Sequence, residues 1–131
     1  MPSFGTTSKS RLATVHPKLQ RILEELVRDY DITIIYGART LDEQKQLVAE
    51  GLSRTMNSKH IPKNDGYAYA VDVAPYPIDW DYEAPYYYMW GRIEEIAKRR
   101  GVKLRWGGDW DMDKDFDDQK FMDLVHVEIV E

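Results

Sequence analysis

Tyr69-Ala70-Val71-Asp72-Val73-Ala74-Pro75 is the stretch on which the fold turns. It is small, apolar and partly β-branched, it closes on a proline, and it reads as a strand. Alternation puts Ala70, Asp72 and Ala74 on one face and Val71 and Val73 on the other. A carboxylate in so apolar a strand costs several kcal/mol unless it is paired or metal-bound.

Working outward, His16-Pro17 opens a helix that carries Leu19, Ile22, Leu23, Leu26 and Val27 at helical spacing to about Asp29. His16 reads as a capping or surface residue. Residues 1–11 read as a polar lead. Ile32 to Tyr36 is a β-branched strand. Thr40 with Glu43 forms a capping box for a helix over about 41–50, with Gly51 as its stop. Residues 51–66 read as a loop. A third helix spans about Tyr86 to Arg100, turning Met89, Ile93, Ile96 and Ala97 inward and stopping at Gly101. Val102–Trp106 is a short strand. Leu124–Val130 is the last, with His126 and Glu128 on one face and Val125, Val127 and Ile129 on the other. The sum is an α+β domain, helices packed on one side of a small, mainly antiparallel sheet. It is expected to be a single catalytic domain over residues 1–131, with no separate wall-binding domain.

Composition narrows the chemistry. The chain has 131 residues, 43% hydrophobic and 31% charged, which is a globular profile. It has no cysteine, so disulfides, thiolate catalysis and Cys-type zinc sites are excluded. No apolar run is long enough to span a membrane, and the polar N-terminus lacks a signal core. Synthesis in the cytoplasm without a signal peptide is therefore expected. The net charge of -5 resides in Asp109–Asp118, six aspartates and one lysine. The remainder is neutral and shows no basic patch of the kind that binds nucleic acid.

Three residues stand out against this background: His60, Asp72 and His126. Two imidazoles and a carboxylate are a ligand set for a catalytic zinc with one open position. A lone strand histidine is more often structural, so the set has meaning only if the three meet in space. Asp123, three residues before His126, is a candidate general base. Three residues apart in a regular strand means opposite faces, so Asp123 joins His126 only across a turn or bulge.

Gly37-Ala38-Arg39-Thr40, Ser58-Lys59-His60, Gly66, Ala70-Val71-Asp72, Trp106 to Trp110 and His126-Val127-Glu128 occur in that order. Together they resemble the VanY-like zinc peptidases of cell walls. Leu12-Ala13-Thr14-Val15, Pro17 and Leu19 extend the likeness to the small phage endolysins that are L-alanyl-D-glutamate peptidases. The resemblance runs from about Ala13 to the C-terminus. It implies zinc held by His60, Asp72 and His126, and Asp123 as the catalytic carboxylate where many relatives carry Glu. It implies Arg39 near the substrate carbonyl, with Ser58 and, more weakly, Gln44 contacting substrate. It implies hydrolysis of the L-alanyl-D-glutamate bond of peptidoglycan stems by a monomer, which reaches the wall after a separate holin-type protein has permeabilised the membrane. The twelve positions from His60 to Asp72 exceed the usual spacing, so Ile61–Tyr69 reads as an insertion. Two rivals stand beside this reading: a D-alanyl-D-alanine carboxypeptidase on the same scaffold, and a non-catalytic wall- or calcium-binding module.

Asp109, Asp111, Asp113, Asp115 and Asp117 alternate, a spacing that can offer Ca2+ oxygen ligands, although the glycine and glutamate of an EF-hand are missing. The plainer reading is a solvated acidic loop. Nine of the sixteen aromatics lie between Tyr67 and Trp90. Core packing explains most of them, and a stacking wall for glycan or peptide is the functional alternative. Tyr86, Tyr87 and Tyr88 cannot all face inward on one helix, so at least one is exposed.

Overall fold

The computed structural model describes residues 2–52, 58–116 and 123–130. In chain order the elements are α1 (Thr6–Leu12), α2 (Pro17–Val27), β1 (Ile32–Tyr36), α3 (Leu41–Ala49), β2 (Ala70–Pro75), α4 (Ala84–Arg99), β3 (Leu104–Gly107) and β4 (Asp123–Ile129). The strands form one sheet in the order β1-β2-β4-β3, every neighbouring pair antiparallel. The expected α+β architecture is what folds. No described helix is long and apolar enough to cross a membrane.

The two faces of β2 explain the layering. Val71 and Val73 join Ile32, Ile34, Leu104, Trp106, Val127 and Ile129 in the core. Leu19, Ile22, Leu23 and Leu26 of α2 cover that face together with Met89, Ile93 and Ile96 of α4. Asp72 projects from the opposite face of β2, directly across from His126 of β4. The twelve positions that separate His60 from Asp72 do not matter to this pairing; the strand register sets it.

Helix starts follow their local chemistry. His16 Nδ1 accepts from the Lys18 N–H, capping α2 ahead of Pro17. Thr40 and Glu43 complete a reciprocal capping box on α3. The polar lead is corrected: Thr6–Leu12 is a helix. Its composition gives no apolar stripe because it does a polar task. Ser8 Oγ accepts from Ile34 N–H at 3.1 Å, and Arg11 Nη1 donates to Ile34 O at 3.0 Å. These side chains satisfy outward backbone groups of the edge strand β1, which would otherwise invite pairing with another chain. Tyr86 is buried, Tyr87 packs edge-on to Trp106, and Tyr88 is the exposed member of the three.

Candidate metal centre

The sheet brings the three ligand-type residues together. His60 Nε2 lies 3.1 Å from Asp72 Oδ1, and His126 Nδ1 lies 3.4 Å from the same oxygen. One donor atom from each of the three fits within a 4.8 Å cluster, and all three residues are buried. Donors around a tetrahedral zinc with bonds of roughly 2.0–2.1 Å stand about 3.3 Å apart, so the spacing fits such an ion.

The far side of each imidazole is also occupied. His60 Nδ1 lies 2.8 Å from Gly37 O, and His126 Nε2 lies 2.8 Å from Glu128 Oε1. With a metal bound, donation from these nitrogens would leave the lone pairs of His60 Nε2 and His126 Nδ1 free to ligate it. Such outer partners fix the tautomer and the ring orientation of a metal ligand. Glu128 is itself held by Lys59 Nζ at 3.1 Å and Arg105 Nε at 3.4 Å. Its role was absent from the sequence reading. The signal was there: a carboxylate two residues after a histidine in a strand shares its face.

Burial alone would raise the Asp72 carboxyl, but hydrogen bonds from His126 and His60 outweigh it and hold the group well below the usual range. Burial opposes charge on His126 too, yet Asp72 and Glu128 lift its imidazole to about 9. Burial raises Glu128, and the His126 and Lys59 contacts bring it down to about 2. A metal must therefore displace a proton from His126 when it binds. Glu128→Gln removes the orienting carboxylate, and metal affinity is expected to fall roughly 10- to 100-fold at pH 9. The gap should narrow toward pH 7, because the native imidazole, held to about 9, loses more to proton competition than the variant's. Metal titrations across this pH range check it; a gap that stays constant or widens on acidification contradicts the assignment.

Asp123 reaches the cluster through the irregularity that its spacing demanded. β3 pairs Trp106 with Val127 and then Gly107 with Asp123, so β4 carries extra residues between two consecutive pairs. The Asp123 carboxyl is raised first by burial and then by the charge of Asp72, while His126, His60 and Arg39 pull it down. It is an elevated carboxylate in the field of all three ligand-type residues. Gly107 makes the approach possible, since a Cβ there would overlap the Asp123 carbonyl.

Arg39 borders the other side. Its Nη2 lies 3.5 Å from Asp72 Oδ2, and its Nη1 donates to Gln44 Oε1 at 3.0 Å. Its Nε is buried and has no hydrogen-bond partner among the described residues. Gln44 is fully buried beneath it. Ser58 Oγ accepts from His60 N–H, holding the turn that presents the imidazole. Trp110 lies against His126 with ring centroids 5.2 Å apart.

The segment between His60 and Asp72 is held by its own hydrogen bonds. Tyr69 N–H donates to Lys59 O at 2.8 Å and closes the loop at its base. Lys63 N–H to Tyr67 O and Tyr69 OH to Asp65 Oδ2 tighten its tip. His16 packs edge-on to Tyr69 beside it. In the acidic loop, Asp109, Asp111 and Asp113 converge into a second group of carboxylates, while Asp117 and Asp118 lie outside the described residues.

The chain is 36% identical to the L-alanyl-D-glutamate peptidase of Escherichia phage T5, with 97% of each chain covered. It is similar in structure to the crystal structure of the Serratia marcescens L-Ala D-Glu endopeptidase ChiX. That match has a TM-score of 0.73 and 26% identity, and covers 98% of this chain and 91% of the other. A family model described as phage L-alanyl-D-glutamate peptidase matches residues 2–130, and the chain belongs to that family.

Proposed function

We propose that this protein is a zinc-dependent endopeptidase that hydrolyses the L-alanyl-D-glutamate bond in the peptide stems of bacterial peptidoglycan. The observation that carries the reading is the meeting of His60, Asp72 and His126 donor atoms within 4.8 Å, with Asp123 in their electrostatic field. These three residues would hold the zinc, which when bound supplies Lewis acidity and lowers the pKa of water to about 7.

The chain's own residues supply the rest. Asp123 takes the proton of the attacking water and returns it to the leaving amine of D-glutamate. Its elevated carboxyl suits both halves of that exchange. Arg39 presents its fixed charge to the carbonyl oxygen as negative charge develops there. Gln44 acts through Arg39, and Ser58 borders the substrate path beside His60.

The test is chemical. Purified protein should contain one zinc per chain, and mass spectrometry of digested wall should find new N-terminal glutamate on the stem fragments. Loss of terminal alanine in its place would mark a carboxypeptidase, and wall binding without zinc or cleavage would mark a non-catalytic module.

We also propose calcium at Asp109, Asp111 and Asp113. Asp109 is buried, its Oδ2 accepts from Lys114 N–H at 2.9 Å, and its Oδ1 has no hydrogen-bond partner among the described residues. Burial raises its carboxyl, the Lys114 N–H lowers it, and the crowding Asp111 and Asp113 raise it again. A hard dication relieves that crowding. Calcium is expected to raise the melting temperature by several degrees, roughly what 1–2 kcal/mol gives a domain of this size. Asp109→Asn should abolish the shift. A calcium titration that leaves the melting curve in place removes this site.

A further inference from the structure

A cleft of about 240 Å3 opens beside Asp123, lined by Trp80, Glu83, Tyr86, Asp123, Leu124 and Val125. Its components are unusual for a surface depression. Trp80 is 64% exposed, although it stacks on Tyr86 with the two rings 21° from parallel. Tyr86 is only 3% exposed, and its hydroxyl is buried with no hydrogen-bond partner among the described residues. A buried hydroxyl without a partner costs about 1–3 kcal/mol, which a ligand can recover. Glu83 opens α4, yet its side chain does not cap that helix.

Among the described residues that line the cleft, the charged ones are the carboxylates Glu83 and Asp123. Residues 64–91 contain no Lys, Arg or His, while Asp79, Asp81 and Glu83 cluster in the connector leading into α4. Burial and then the charge of Asp79 raise the Tyr86 hydroxyl, so the acidic character extends to the inner wall. An apolar floor, an exposed indole face and carboxylates at the rim suit an aliphatic chain that ends in an ammonium. The chain packs on Leu124, Val125 and the ring; the ammonium meets Glu83 and the indole π-face. A neutral sugar would use the ring but leave the charge unmatched.

We propose that this cleft is the subsite for the diamino acid of the peptide stem and takes its free side-chain ammonium. The inference rests on the peptidase reading for its direction. Asp123 serves the leaving amine of D-glutamate, and the diamino acid is the next residue on that leaving side.

The experiment compares the tripeptide L-alanyl-γ-D-glutamyl-L-lysine with the same tripeptide acetylated on the lysine side-chain amine. The zinc-loaded native protein should favour the free amine by roughly tenfold in kcat/KM, mainly through KM. Glu83→Gln and Trp80→Ala should each bring that ratio toward one, and Tyr86→Phe should lower it less. Trp80 and Glu83 are exposed, so both variants should fold. Equal cleavage of the two tripeptides by the native protein overturns the proposal. So does a ratio untouched by Glu83→Gln and Trp80→Ala. A Trp80→Ala defect confined to muramyl-bearing substrates would give the cleft to the sugar and also overturns it. Failure of the peptidase reading would appear separately, as no cleavage of either tripeptide. Calorimetry with γ-D-glutamyl-L-lysine, free and acetylated on the side-chain amine, then decides the subsite: preference for the free amine supports it, and equal binding overturns it.

Discussion

Asp123→Asn is expected to lower kcat for stem peptides by about 10²–10⁴-fold while one zinc per chain is retained. The substitution keeps size and hydrogen-bonding shape and removes only the group that accepts and returns a proton. Asp123 is separate from the cluster of donor atoms formed by His60, Asp72 and His126, so the metal should stay. KM should change little, because the loss falls on a transition-state interaction. Parallel zinc analysis and steady-state kinetics check this. An Asn variant with full activity, or one that loses its zinc, would remove Asp123 from the assigned role.

Gly107→Ala is the second large effect, expected to lower kcat/KM by about 100-fold although Gly107 touches no reacting atom. A Cβ at Gly107 would overlap the carbonyl of Asp123 and crowd its Cβ. Gly107 and Asp123 are paired across β3 and β4, so the strands would have to separate at Asp123. A displacement of about 1 Å at such a group costs on the order of 10²-fold. Backbone rather than a flexible side chain must yield, so the melting temperature should drop by several degrees too. Gly91→Ala is the control: this glycine lies within α4, and a Cβ there meets nothing within 4 Å. That change should leave activity intact and add up to about 1 kcal/mol of stability. Thermal melts and kinetics on both variants separate local displacement from any general cost of replacing glycine.

Legibility differed from element to element for physical reasons. α2 and α4 were readable because each buries an apolar stripe whose 3.6-residue period shows in the chain. α1 was not, because its buried face carries Ser8 and its work is to hydrogen-bond a strand edge. At the site, His60, Asp72 and His126 could be named as donors by residue type alone. Glu128 shares a strand face with His126, but its bond to that histidine becomes a role only once His126 faces Asp72. The cleft at Trp80 could not be read at all. Its walls come from a connector, a helix start and the first residues of β4, brought together only by packing.

By itself the amino-acid sequence determined what is local and periodic: the α+β class, the helix caps, the faces of β2 and β4, and the residue types able to bind a metal. These follow from side-chain chemistry and from periods of 2.0 and 3.6 residues. Tertiary structure alone decided which of those groups meet. The register of β2 against β4 sets Asp72 opposite His126, and the irregularity opposite Gly107 frees Asp123 from the face that its spacing would give it. Register and bulges depend on the partner strand, and no window of one strand's own residues contains that partner.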